Sequence, residues 1–135
     1  ASLPELHALL ERIHEREAAE SGTARDAWTR ARGAAHVALA RRGSRLGLYD
    51  LRESLEKTAV PLPVEFMAAL SLIGDASCLE PVAAAYAHAR GSGHDWWHEH
   101  LADAFRAIVA REKITRRHAV MKKIEKRWPA ILTPA

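Results

Sequence analysis

Cysteine is nearly missing from this chain: its 135 residues include one, Cys78. A single thiol excludes an internal disulfide and fits a reducing compartment, so a cytoplasmic setting is expected. Glycine and proline are sparse, at seven and six, too few for a collagenous or disordered chain. No apolar run approaches the roughly 18 residues that suggest a membrane span, so no membrane partner is expected. The opening residues do not form the basic-then-apolar pattern of a secretory leader. Strand-like alternation of apolar and polar residues is absent throughout. The sequence also has no Gly-rich phosphate loop and no recognisable Ser/His/Asp or Cys/His arrangement. Nothing here calls for a cofactor.

What the chain does have is 48% apolar residues, enough for one domain with a core, and an internal repeat. Ala38-Leu39-Ala40-Arg41-Arg42-Gly43-Ser44 lies over Ala69-Leu70-Ser71-Leu72-Ile73-Gly74-Asp75. In the same register Leu48 meets Leu79, Leu51 meets Val82 and Leu55 meets Tyr86. A third copy places Ile108 on Leu70, Val120 on Val82 and Ile124 on Tyr86. Units of helix, short turn and helix with a period in the thirties mark an α-solenoid, whose units bury their apolar faces by stacking. Leu39, Leu51, Leu70, Val82, Ile108 and Ile124 are therefore the expected core.

The pattern predicts seven helices in a single domain spanning residues 1–135: one lone helix followed by three antiparallel pairs. Ser2 and Glu5 form a capping-box pattern for the first, over 3–19, with Leu6, Leu9, Leu10 and Ile13 as its apolar stripe. Thr23 with Asp26 is the expected cap of the second, which stops at Gly43. The third spans about 46–57 and the fourth about 64–73. Ser77 with Glu80 reads as a capping box for the fifth, leaving Pro81 in its first turn, where it is tolerated. Asp95 is a natural N-cap for the sixth, and Thr115 for the seventh, which ends where Trp128 precedes Pro129.

The Ala38-Leu39…Gly43 and Ala69-Leu70…Gly74-Asp75…Leu79…Val82 pattern resembles HEAT repeats, particularly the short bacterial type found in bilin lyases, over roughly residues 26–128. The resemblance implies an all-α superhelix of the HEAT/armadillo kind, a curved stack of helix pairs that acts as a non-catalytic scaffold for protein partners. The unpaired first helix leads us to expect further repeats before it in a longer parent chain.

Several residues bear on function. The densest polar cluster is His94-Asp95-Trp96-Trp97-His98-Glu99-His100, followed by Asp103. His98, Glu99, His100 and Asp103 are competent metal ligands, but four convergent ligands are normal at a structural site, and these lie too close together to converge. The deoxyhypusine hydroxylases, enzymes built on HEAT repeats, hold iron with His-Glu pairs at equivalent positions. His98-Glu99 looks like one pair, but its repeat equivalents are Val60-Pro61 and Thr29-Arg30, so no such site is expected. Trp97 falls on the stripe with Leu101, Ala104, Phe105 and Ile108. Trp96 falls beside His100 on the polar side, where its ring is expected to cover the adjacent Gly-rich loop, as large aromatics are highly buried on average. The alternative is exposure for recognition, which makes Trp96 and His100 the expected protein contacts, since aromatic anchors dominate interface energetics. His7, Glu11 and His14 share a face of the first helix that is expected to be solvated. Cys78 is expected to pack as a small hydrophobe.

Charge is uneven. Residues 111–135 carry eight basic and two acidic side chains, against two basic and six acidic over 59–110. Arg116, Lys122, Lys123, Lys126 and Arg127 form a basic arc opposite Ile114, Val120, Met121, Ile124 and Trp128. The plain reading is a solvated cap on the end of the stack. The functional one is a patch for phosphate, which makes nucleic-acid binding the alternative to a protein partner. A bilin-lyase-like or metal-dependent enzyme stands third.

Overall fold

In the computed structural model, which describes residues 2–133, the chain is all-helical. Its elements are α1 (Leu3–Ala19), α2 (Gly22–Arg41), α3 (Leu48–Lys57), α4 (Val64–Ile73), α5 (Ala76–Ala89), α6 (Asp95–Glu112) and α7 (Ala119–Arg127), with one 3-10 turn at Pro129–Leu132. Among the described residues there is no strand. No described helix is long and apolar enough to cross a membrane.

The even-numbered helices touch in order, α2 on α4 and α4 on α6, and the odd-numbered ones do the same, α3 on α5 and α5 on α7. α5 packs along α6, and α1 packs along α2 rather than standing apart. The expected partners α2 and α3, α4 and α5, and α6 and α7 touch little, so the three antiparallel pairs are not the main packing units. Leu39, Leu51, Leu70, Val82, Ile108 and Ile124 are all buried, each no more than 1% exposed. Each such aliphatic side chain contributes about 2 kcal/mol on leaving water. Cys78 is likewise fully buried, and burial pushes its thiol pKa up. The core has two parts. A large one runs from Ala40 to Ile131, and a small one joins Leu10 and Ile13 of α1 to Ala35 and Leu39 of α2.

Helix ends follow local chemistry, and several differ from the sequence expectation. The capping box of α1 is formed: Ser2 Oγ accepts from the Glu5 N–H, and the Glu5 carboxylate accepts from the Ser2 N–H. Its buried face is Leu10, Ile13 and Glu17, with Leu9 39% exposed. The apolar stripe is thus rotated, because a carboxylate rather than a leucine continues it. α2 begins at Gly22, behind Ser21, so Thr23 and Asp26 lie inside the helix. Gly43, at φ 76°, supplies the left-handed turn that ends α2.

α5 is capped by Asp75, whose carboxylate accepts from the Ser77 N–H at 2.9 Å. Ser77 is therefore not the cap, and Pro81 sits in the second turn, where the Ser77 carbonyl loses its helical donor. At the third repeat Glu112 ends α6, and Lys113 takes the left-handed conformation (φ 54°) that a glycine would hold at no steric cost. α6 starts at Asp95, with His94 as its N-cap residue. The seventh helix is shorter than expected. His118 caps it, its Nδ1 accepting from the Val120 N–H, while Thr115 organises the preceding turn.

Candidate functional site

The most concentrated polar chemistry lies where α1, α2 and α3 meet. Arg32 of α2 is only 4% exposed. Its guanidinium grips Glu17 of α1 through two parallel bonds, Nε to Oε2 at 2.9 Å and Nη2 to Oε1 at 3.1 Å. Nη1 donates to Asp50 Oδ2 at 2.8 Å and to Ser54 Oγ at 2.5 Å, both on α3. The guanidinium plane also lies over the Phe66 ring of α4, 4.9 Å from its centroid. One side chain thereby joins four helices, using the planar fork that only arginine offers.

Asp50 is the second hub. His36 Nε2 reaches Oδ2 at 2.7 Å and His14 Nε2 reaches Oδ1 at 2.9 Å. Burial pushes the Asp50 carboxyl up, but the His36 hydrogen bond, the Arg32 charge and the Arg32 hydrogen bond together outweigh it, and the group is held well below the usual carboxylate range. An ionised carboxylate only accepts, so both imidazoles donate through Nε2. For Arg32, burial works against the charge, and Glu17 and Asp50 more than restore it.

Two glycines make room for this arrangement. A Cβ on Gly47 would lie 2.8 Å from His36 Nδ1, and one on Gly33 would lie 3.1 Å from the Phe66 ring.

Above the network opens a cleft of about 840 Å³. His14, Glu17 and Arg32 form its floor, residues 58–63 form one wall, and Trp96 of α6 stands at its edge. Arg25 and Arg30 reach in from α2, and Lys57 from α3, where Glu53 pairs with it at 3.0 Å.

The residues singled out from the sequence fall into two groups. Trp96 is 45% exposed and meets Trp97 and His100 edge-on, each at 6.1 Å between centroids. Trp97 is buried. Arg116, Lys122, Lys123, Lys126 and Arg127 are all exposed, and none forms an ion pair with a described carboxylate. They do not line the cleft, and Arg116 lies in the turn before α7 rather than on the helix. Arg127 covers the Trp128 ring at 4.4 Å.

His98 does not point toward His100. It stacks on Tyr86 at 3.6 Å, with Nε2 3.2 Å from the Tyr86 carbonyl oxygen. Among the described residues, no group of three or more His, Cys, Asp or Glu side chains could hold a metal ion.

Of the His7, Glu11 and His14 face, expected to be solvated, Glu11 is exposed, but His7 Nε2 lies 3.2 Å from Ser44 Oγ and the half-exposed His14 is bound to Asp50. Glu17, Arg32, His36 and Asp50 were missed in the sequence. Their signal was available. Glu17 continues the Leu10–Ile13 stripe by one turn, and Arg32 and His36 interleave with Ala35 and Leu39. Opposite charges on the buried stripes of consecutive helices point to a buried pair.

No protein-family model matches the chain, and neither a curated protein nor a solved structure matches it.

Proposed function

We propose that the protein is a non-catalytic helical-repeat scaffold of the HEAT-like kind, and that it binds a protein partner in the cleft beside Trp96. The alternating contacts of the even and odd helices support the repeat reading. The observation that carries the binding reading is the cleft itself, about 840 Å³, with a half-exposed tryptophan at its edge and a floor of interlocked charges. A floor tied to four helices is rigid, so little ordering cost falls on association. An aromatic anchor beside it is the residue type that carries interface energy. The reducing compartment inferred from Cys78 belongs to the same reading.

Affinity capture followed by titration of the captured partner tests it. Trp96→Ala is expected to weaken that complex at least tenfold, while Lys123→Gln/Arg127→Gln leaves it unchanged. Equal affinity for Trp96→Ala and the parent protein would overturn the cleft reading. A second reading, nucleic-acid binding through the basic arc of α7, is favoured by its five exposed cations without described acidic partners. In that case the double variant loses affinity and the salt dependence of binding flattens by about one unit per contact removed.

A further inference from the structure

The turns that join α2 to α3, α4 to α5 and α6 to α7 lie at one end of the molecule. Arg111, in the last turn of α6, donates to the carbonyl oxygens of Ser71 and Gly74 at the end of α4. Glu112 lies 3.5 Å from Arg111 and 4.0 Å from Arg45, which belongs to the turn after α2. One surface ion pair, Arg45–Glu112, thus links the first and third turns.

These two turns are strongly basic. Arg41 and Arg45 come from the first, and Lys113, Arg116 and Arg117 from the third; all five are exposed. Within 41–47 and 111–118 the only acidic residue is Glu112, already shared between two guanidiniums. In the middle turn, the Asp75 carboxylate is bound to Ser77 at the start of α5.

A cation at a helix C-terminus is favourable on its own account, because it meets the negative end of the helix dipole. Arg41 serves α2 in that way, and Arg111 caps α4 directly. Lys113, the C-cap of α6, meets the dipole too, but Arg116 and Arg117 lie beyond the end of α6 and Arg45 beyond the end of α2, so the dipole argument does not account for those three. Five like charges on one edge repel one another, which makes the edge a site for a polyanion. Neutralising phosphates with these cations releases the counterions condensed on the nucleic acid, which drives association.

We propose that this edge, formed by the first and third inter-helix turns, binds the phosphate backbone of double-stranded nucleic acid. It is separate from the cleft and stands on its own observations, sharing only Arg116 with the α7 arc. The duplex is favoured over a single strand because the cations sit on two turns fixed relative to each other, matching phosphates held on a rigid rail. Single strands are bound by stacking on aromatic rings. The exposed aromatic near this edge, Tyr49, has the Arg52 guanidinium 5.8 Å from its ring centroid. Contacts of this kind position a duplex without reading its sequence.

The probe is a labelled 20-base-pair DNA of mixed sequence, titrated with the full chain by fluorescence anisotropy between 50 and 200 mM salt. With about five phosphates neutralised, affinity is expected to fall roughly 500-fold across that range. The triple variant Arg41→Gln/Arg116→Gln/Arg117→Gln changes only exposed side chains, and unchanged far-UV circular dichroism checks that it folds. It should flatten the log–log salt slope by about three units. Lys123→Gln/Arg127→Gln on α7 should change it by less than one.

Three outcomes overturn the proposal: no duplex binding at 50 mM salt, a slope unchanged in the triple variant, or loss confined to the α7 variant. Tighter binding to polyglutamate than to the duplex would assign the edge to acidic protein and also overturn it. None of these results bears on the cleft, whose reading stands or falls with Trp96→Ala.

Discussion

Arg32 is where the molecule is most vulnerable to one change. Removing it leaves Glu17 and Asp50 with no guanidinium, and an uncompensated buried charge costs about 3–5 kcal/mol. Arg32→Ala is therefore expected to lower the urea midpoint sharply. Arg32→Lys should recover little, since an ammonium cannot bond Glu17 bidentately while reaching Asp50 and Ser54. Asp50 gives the same network a pH dependence of definite sign. Its carboxyl is depressed in the folded protein, so its contribution to stability is complete above the unfolded carboxylate value of about 3.9 and is lost as pH falls toward the folded one. Urea denaturation from pH 6 down to pH 2 should show a steep acid limb that Asp50→Asn flattens; an equally steep limb in the variant would place the proton uptake elsewhere. Gly47 carries a further expectation. Gly47→Ala puts a methyl group against His36 and should cost about 1–3 kcal/mol. At this scale the sequence was a good guide to the aliphatic core, because transfer free energy depends on residue type and period alone. It was a poor guide to Glu17, Arg32, His36 and Asp50, because pairing depends on which helices meet.

Helices are set by their ends as much as by their stripes. The limits of α4 were legible because Pro63 and Gly74 bracket a short apolar run. The starts of α2, α5 and α7 were not, because each offers several polar residues and the one chosen depends on the approach of the preceding chain. Asp75 wins over Ser77 with a carboxylate that accepts from the Ser77 N–H. The third repeat has Glu112 in place of the glycine of the first two, and the next residue, Lys113, takes a left-handed φ of 54°, as Gly43 does in the first repeat, whereas Gly74 is extended. Lys113→Gly relieves that conformation and is expected to raise the melting temperature, with a gain of about 1 kcal/mol. A drop would mean that the lysine side chain contributes more than its backbone costs. Arg111 ties the end of α6 to the end of α4 through carbonyls that a helix terminus otherwise leaves to water.

For the molecule as a whole, the division of the core matters. α1 is held by a small apolar cluster with α2, by the Arg32–Glu17 fork and by contacts from His7 and His14. The other helices share the larger core. Amide hydrogen exchange should find α1 opening at lower free energy than α5, since segments with fewer buried apolar contacts open locally. Acidification below about pH 4 should widen the gap, because it removes the contribution of Asp50, to which His14 of α1 is bound, before it touches the aliphatic core. Equal protection of α1 and α5 at about pH 2.5, well below the unfolded carboxylate value, would count against this. Trp96 and Trp97 add something practical. Two indoles adjacent in sequence sit in opposite surroundings, one at the mouth of the cleft and one sealed in the core. A small neutral quencher in solution reaches the first and not the second. With the other two tryptophans, the half-buried Trp28 and Trp128, replaced by Phe, the remaining fluorescence carries two separable signals, one that dims when the cleft is open to solvent and one that changes only when the fold comes apart.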